Sequence, residues 1–334
     1  CELPQLTPVA ISDQKRTIPV FIYSQWCSMN TGLEPAIAAM VAEFVAAGRP
    51  RASEMSWQAR REGYLASAVL GGEREEVGAI EEWQADHYAI RRYQPLDIPD
   101  SAYPALIYFH GGCFVSGDFE THDRQMRMLC NSANALVFAV HTRLAPEHSY
   151  PAAHDDALAA TLAIMAALPQ WRGDPGRVAL AGDSAGGHLA LVTTLRLKEA
   201  GAALPAAQIL IYPMLDALGE SQSYRDLGDD YLITRDMLLS GFQAYLGRLP
   251  ASHPEASPLH HPDLAGLPPT HILTAEYDPL RDEGEALYGK LLRAGVAASC
   301  QRQLGVIHGF FQLAGISPAA RHAITQVAML IKGL

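Results

Sequence analysis

From residue 105 onward, short apolar runs alternate with stretches of helical period, and no other feature restricts the chain as much. The runs "ALIYFH" (105–110), "ALVFAVHTRL" (135–144), "RVALAG" (177–182), "AQILIYPML" (207–215) and "PTHILTAEY" (269–277) are rich in Val, Ile and aromatic residues. Runs of this length with little polar alternation suit strands buried on both faces of a parallel sheet. Between and after them, residues 122–132, 154–168, 185–200, 282–295 and 318–332 carry helical spacing. Strand and helix in turn predict an α/β fold with a mostly parallel, doubly wound sheet, its functional residues at the carboxyl ends of the strands. Ahead of this region, residues 34–70 read as helices, and "VGAIEEWQ" and "HYAIRRYQP" read as two strands with a charged edge. Residues 216–252 break the alternation and are expected to form an insertion over the functional end of the sheet.

Composition removes several classes of function. A formal charge of −11, with no basic stripe, argues against a nucleic-acid partner. No apolar run reaches the roughly 18 residues of a membrane span; "ALAATLAIMAAL" (157–168) reads instead as a buried helix. Cys1, Cys27, Cys113, Cys130 and Cys300 are scattered, without the spacing of a disulfide framework or a zinc site. Free thiols in a reducing compartment, the cytoplasm, are the expectation. The first residues lack the basic start and apolar core of a signal peptide. Residues 1–28 read as an upstream extension ahead of the helix opening at Met29, although "RTIPVFIY" (16–23) suits a strand.

The chemistry gathers around "RVALAGDSAGGHLALV" (177–192), where an apolar run gives way to helical spacing at Gly182-Asp183-Ser184-Ala185-Gly186. A sharp strand-to-helix turn pushes a serine hydroxyl out of the sheet, and glycines on either side leave room for it. That hydroxyl is a poor nucleophile until a base takes its proton, and the base needs an acid to orient it. "TAEYDPLRDEG" places Asp278 just past an apolar strand, and "LGVIHGFFQL" places His308 in a loop after the strand-like "ASCQRQL". Asp282 and Glu283 are rivals to Asp278, but they would open the next helix. A glycine turn in "YFHGGCF" (108–114) offers the N–H groups of Gly111 and Gly112, with that of Ala185, to a developing oxyanion.

Together with "RLAPEHSYPAAHDDA", "LIYPMLD" and "IHGF", these stretches resemble the bacterial hormone-sensitive-lipase-like esterases, the group with a GDSAG nucleophile motif in the α/β-hydrolase superfamily. The likeness spans about residues 33–334. It implies Ser184 as nucleophile, His308 as general base and then acid, and Asp278 as the residue orienting His308. It also implies an α/β-hydrolase domain over residues 77–334 and a helical cap made of residues 29–76 and 216–252. Short- to medium-chain carboxylic esters as substrates, no cofactor, and a homodimer through the last strand and the C-terminal helix follow from the same resemblance. A lipase, lactonase or amidase on the same residues is the alternative. A non-catalytic binding module is another, against which the presence of His308 counts.

The chain departs from that family's pattern at Cys113, where a third glycine is usual, at His141-Thr142 in place of Asp-Tyr, and at His188 in place of Asn. Cys113 is expected to crowd the acyl site. Cys113, Phe114 and Val115 after the glycine turn, Tyr212 and Leu215 at a strand end, and Ile307 beside the base are candidate pocket walls, each equally readable as core. His110 and Asp183 read as braces of the turn, His188 as structural, and His148, His154, His260 and His261 as loop or helix-surface residues. Glu147 and Arg143 are expected in buried ion pairs near Ser184.

Overall fold

The computed structural model describes residues 32–48 and 50–334; the suggested extension over residues 1–28 and the strand at 16–23 lie outside the described residues. Eight strands form one sheet: β1 (Ala79–Gln84), β2 (Ala89–Gln94), β3 (Tyr103–Phe109), β4 (Leu136–His141), β5 (Gly173–Asp183), β6 (Ala207–Ile211), β7 (Thr270–Tyr277) and β8 (Ala298–Ile307). Their order is β1-β2-β4-β3-β5-β6-β7-β8. From β4 to β8 all pairings are parallel, and β2 runs antiparallel to both β1 and β4. Each apolar run of the sequence lies on one of these strands. β3 and β6 are buried along their whole length, as strands covered on both faces must be.

Helices α1 (Pro35–Ala46) and α2 (Trp57–Ser67) precede the sheet, and α3 (Phe119–Ala133), α4 (Ala152–Ala167), α5 (Ala185–Glu199), α8 (Arg281–Arg293) and α9 (Pro318–Lys332) alternate with its strands. The irregular stretch between β6 and β7 holds a short helix α6 (Gln222–Asp226) and a longer one, α7 (Arg235–Leu246). α5 follows the central strand β5 and is buried through its first three turns, so its apolar residues need no single face. α4 differs from the buried helix expected of its composition. Ala157, Ala160 and Ile164 face inward while Leu162 is exposed. Among the described residues no helix is long and apolar enough to cross a membrane.

At the antiparallel end, the charged strands pair by register. Glu81 lies opposite Arg92 and Glu82 opposite Arg91, with ion pairs of 2.8 and 2.7 Å. At the other end of the chain order, residues before β1 are tied into the body: Arg124 Nε of α3 donates to Gly72 O at 2.5 Å, and Gly315 N to Leu70 O at 2.9 Å. α2 meets α7 directly. Arg60 donates to Ser240 Oγ at 3.0 Å and to Met237 O at 3.1 Å, while Ser53 N donates to Asp236 Oδ2 at 2.9 Å. The segment leading into and through α2 thus packs on α7 of the insertion between β6 and β7.

Candidate active site

Ser184 is the single residue between β5 and α5 and holds φ 55° and ψ −119°, a backbone state that L-residues avoid. Its neighbours make that turn compulsory. Ser184 N donates to Ile211 O at 2.9 Å, and Ser184 O accepts from His188 N and Met214 N, both at 3.1 Å. A Cβ on Gly186 would lie 1.9 Å from Phe109 O, and one on Gly182 2.3 Å from Gly186 C. The two glycines let β3, β5 and the start of α5 close on one another, so Ser184 stands at the carboxyl end of the central strand.

The loop after β8 brings His308 to it. His308 Nε2 lies 3.0 Å from Ser184 Oγ, and its Nδ1 lies 2.8 Å from Asp278 Oδ2. Asp278, just past β7, also accepts from Leu280 N at 2.7 Å. The three side chains are buried, 3 %, 6 % and 0 % exposed for Ser184, His308 and Asp278. A carboxylate beside Nδ1 fixes the proton there and leaves the Nε2 lone pair for the serine hydroxyl. The rivals of Asp278 are occupied elsewhere. Asp282 Oδ2 accepts from Ser223 N, and Glu283 Oε2 from Leu215 N and Asp216 N. Burial pushes the Glu283 carboxyl well above its usual range, and Asp216 and Asp278 add to that.

The glycine turn after β3 corrects one expectation. Gly111 N donates to Asp183 Oδ1 at 2.9 Å, so its N–H is consumed and does not serve an oxyanion. Among the described residues, Gly112 N and Cys113 N have no acceptor, and Ala185 N, the first of α5, has no partner within its helix. Gly112 and Cys113, rather than Gly111, are thus the residues of this turn whose N–H groups stay free among the described residues. Asp183 is the anchor that turns the loop this way. It accepts also from Tyr108 OH at 2.9 Å, His122 Nε2 at 3.0 Å and Gln312 Nε2 at 2.8 Å. Burial opposes its charge, but His122 and these donors outweigh burial and hold the carboxyl below its usual range.

His110 braces the same loop, as expected. Its Nδ1 lies 2.9 Å from Gly111 O, which can only accept, so that nitrogen carries the proton. Its Nε2 then accepts from His141 Nδ1 at 3.0 Å, which gives the histidine at 141 a role. Burial first, then the neighbouring His141 and His122, hold His110 down to about 3, so it stays neutral.

The other candidates have packing partners of their own. The Cys113 Cβ lies 2.6 Å from where a Cβ on Gly241 would be, so this side chain is seated on α7. Burial pushes its thiol up against the pull of Arg60, which keeps it protonated. Phe114 stacks on Tyr245 of α7 at 4.2 Å, Val115 is buried beside it, and Leu215 belongs to the core. Tyr212 packs its ring 4.6 Å from that of His308, with Phe310 behind it, and Ile307 pairs with Tyr277 in the sheet. Tyr212 therefore supports the imidazole. Glu147 is half exposed and binds Arg61 of α2, whereas Arg143 does form its ion pair, with buried Asp156 at 2.7 Å. His154 is buried, not on a surface, with its ring stacked on His188 at 5.1 Å. Sequence reading passed over Arg60, Arg61, Tyr108, His122 and Gln312, since each acts on a partner at least 54 positions away.

The buried histidines carry a stability consequence. Burial, then His154, holds His188 down to about 3 from an ordinary 6.5. Between those values the unfolded chain binds the proton and the folded one does not, so stability falls as pH drops through that window and is fully present above it. His188 alone removes about 1.4 kcal/mol per pH unit, and His110, His141 and His154 shift in the same direction. Thermal unfolding is expected to come progressively earlier from pH 7 to pH 5, with a shallower dependence in His188→Asn. Equal slopes in the two proteins would refute the assignment to His188.

Comparison with known proteins agrees with this architecture. Residues 106–312 match a protein family described as having the alpha/beta hydrolase fold. The chain is 40% identical to Esterase LipI of Mycobacterium tuberculosis over 237 residues, 70% of this chain and 74% of that protein. It is 33% identical to an ethyl acetate hydrolase of Pseudomonas putida over 310 residues, 88% of this chain and 97% of that one. An esterase structure from Pyrobaculum calidifontis superposes with a TM-score of 0.84 at 35% identity, covering 90% of this chain and 98% of the other. The chain belongs to the α/β-hydrolase fold family, among its hormone-sensitive-lipase-like esterases, and is a carboxylic ester hydrolase.

Proposed function

We propose that Ser184, His308 and Asp278 hydrolyse short- to medium-chain esters through an acyl-enzyme. The observation that carries this reading is the unbroken relay of 3.0 and 2.8 Å from Ser184 Oγ through His308 to Asp278. Ser184 Oγ attacks the ester carbonyl as His308 Nε2 takes its proton. The new oxyanion accepts from the N–H groups of Gly112, Cys113 and Ala185. His308 passes the proton to the departing alcohol, and water repeats the sequence on the acyl group. Asp278 keeps His308 in the tautomer that can do this and balances the imidazolium formed in between. α1, α2, α6 and α7 act as the cap over this site. The likeness to an ethyl acetate hydrolase supports a small acyl group.

The site of action is the cytoplasm, supported by free thiols at Cys113, Cys130 and Cys300. Two copies joining at β8 and α9 are supported by Leu304 and Met329, large apolar side chains exposed at 68 % and 67 %. Initial rates on p-nitrophenyl esters of increasing acyl length test the substrate class. The rate is expected to be highest on acetate or butyrate and to fall steeply toward palmitate. A maximum on palmitate, raised further by an oil–water interface, would give the lipase reading instead, and no turnover of any of them would give the binding module.

A further inference from the structure

The turn that carries the oxyanion donors is strained. Gly112, Cys113, Phe114 and Gly117 all hold positive φ, at 124°, 55°, 65° and 101°. Two consecutive residues with side chains in that region hold it only where surrounding groups over-determine the backbone. Below, Asp183 grips Gly111 N. Within the turn, Gly112 O accepts from Val115 N and Ser116 N, both at 3.0 Å. Beside it, Ala145 N donates to Phe114 O at 2.9 Å. The last grip comes from α2. Arg61 Nε donates to Val115 O at 2.8 Å, and Arg61 Nη2 donates to Ala145 O at 3.0 Å. One guanidinium thus joins the turn to the backbone segment that already holds it.

The preceding residue faces the other way. Arg60 grips Ser240 and Met237 of α7, and α7 presses Gly241 onto the Cys113 backbone and Cβ. The two adjacent arginines of α2 therefore bind the oxyanion turn on one side and the helix that lies on it on the other. The ion pair of Arg61 with Glu147 is half exposed and contributes little by itself. The two carbonyls are the contacts that shape the turn.

We infer that Arg61 is a positioning residue for ester hydrolysis, holding the oxyanion turn in its strained, donor-forward conformation from the cap helix α2. The inference rests on the reading of Ser184 and of the Gly112 and Cys113 N–H groups given above. Without Arg61, Val115 O is released and the turn relaxes away from the geometry that aims two N–H groups at one oxygen.

The test compares Arg61→Ala, Arg61→Lys and Glu147→Gln with the unaltered protein on p-nitrophenyl acetate, well below the unfolding temperature of each. Arg61→Ala is expected to lower kcat about 10- to 100-fold, as a donor displaced by about 1 Å does, with KM changed less than about threefold. Arg61→Lys, which can reach one carbonyl but not two, should lose about 3- to 10-fold, and Glu147→Gln less than threefold. Millimolar guanidinium should restore part of the kcat of Arg61→Ala. A trifluoromethyl ketone, whose serine adduct places an oxyanion in the hole, should weaken by the same factor as kcat/KM. A purely structural arginine would lower Tm and leave kcat, KM and inhibitor affinity in place, and that result overturns the inference. If Arg61→Ala does not fold, unchanged kcat in Arg61→Lys overturns it equally. Labelling of the unaltered protein by a fluorophosphonate separates the two readings: no label on Ser184 sinks the parent reading, whereas labelled protein with insensitive Arg61 variants sinks this one alone.

Discussion

Ser184→Ala protein is expected to keep its fold and lose hydrolysis of p-nitrophenyl acetate by about 10⁴-fold or more in kcat. The expectation comes from interdependence. His308 has no proton to take once Oγ is gone, and Asp278 then orients a base with no work, so the loss resembles removal of all three residues. What survives is the stabilisation offered by the Gly112, Cys113 and Ala185 N–H groups to a water attacking unaided. Alanine is tolerated at position 184 structurally, because the turn is held by the backbone bonds of Ser184 N and O and not by its hydroxyl. Unfolding should therefore stay within about 1 kcal/mol of the original. Retained turnover in a folded variant would place the chemistry on another residue.

The second large effect concerns stability. Gly186→Ala is expected to cost about 3 kcal/mol or to prevent folding, lowering Tm by roughly 5–10 °C where the protein is recovered. The added methyl would sit 1.9 Å from Phe109 O and 2.8 Å from His110 O. Both obstacles are backbone, so no side chain can swing aside. Relief would require β3 and α5 to separate at the point where the sheet is most buried. Gly63→Ala on α2 provides the contrast, since nothing lies within 4 Å of its new Cβ. There the ordinary helical preference for alanine should stabilise by about 0.5–1 kcal/mol. Similar thermal shifts for the two substitutions would mean that the close approach at Gly186 is not a constraint.

The inner strands could be located from the sequence because burial on both faces leaves an unmistakable apolar run, and Ser184 and Asp278 because each directly follows such a run. β8 was harder. Its first part, "ASCQRQL", alternates with polar residues at the sheet's edge, and a continuous buried run comes only at Gly305, Val306 and Ile307. The hydrogen-bond pattern of the glycine turn was not legible at all. Whether Gly111 or Cys113 offers a free N–H is settled by Asp183, 72 positions later, and no local preference encodes that choice. Likewise Glu147 reads as a partner of nearby residues, yet its cation is Arg61, 86 positions earlier. Local pattern dictates where strands end; contacts made only after helices dock decide which backbone groups remain free there.

The charged pairing of β1 with β2 bears on how the molecule behaves when concentrated. Among the described residues β1 is the outermost strand on its side of the sheet, and an outermost strand offers unpaired backbone groups to any passing chain. Consecutive residues point to opposite faces, so Glu81 guards one face and Glu82 the other, and their carboxylates are half exposed even while bound to Arg92 and Arg91. A second molecule laid along this strand would bring its own glutamates against them on both faces at once. The arginines are inside, on β2, and the acids outside, so the ribbon presents repulsion to a copy of itself. Replacing Glu81 and Glu82 by threonine is therefore expected to raise light scattering at high protein concentration, and unchanged scattering would remove this role from them.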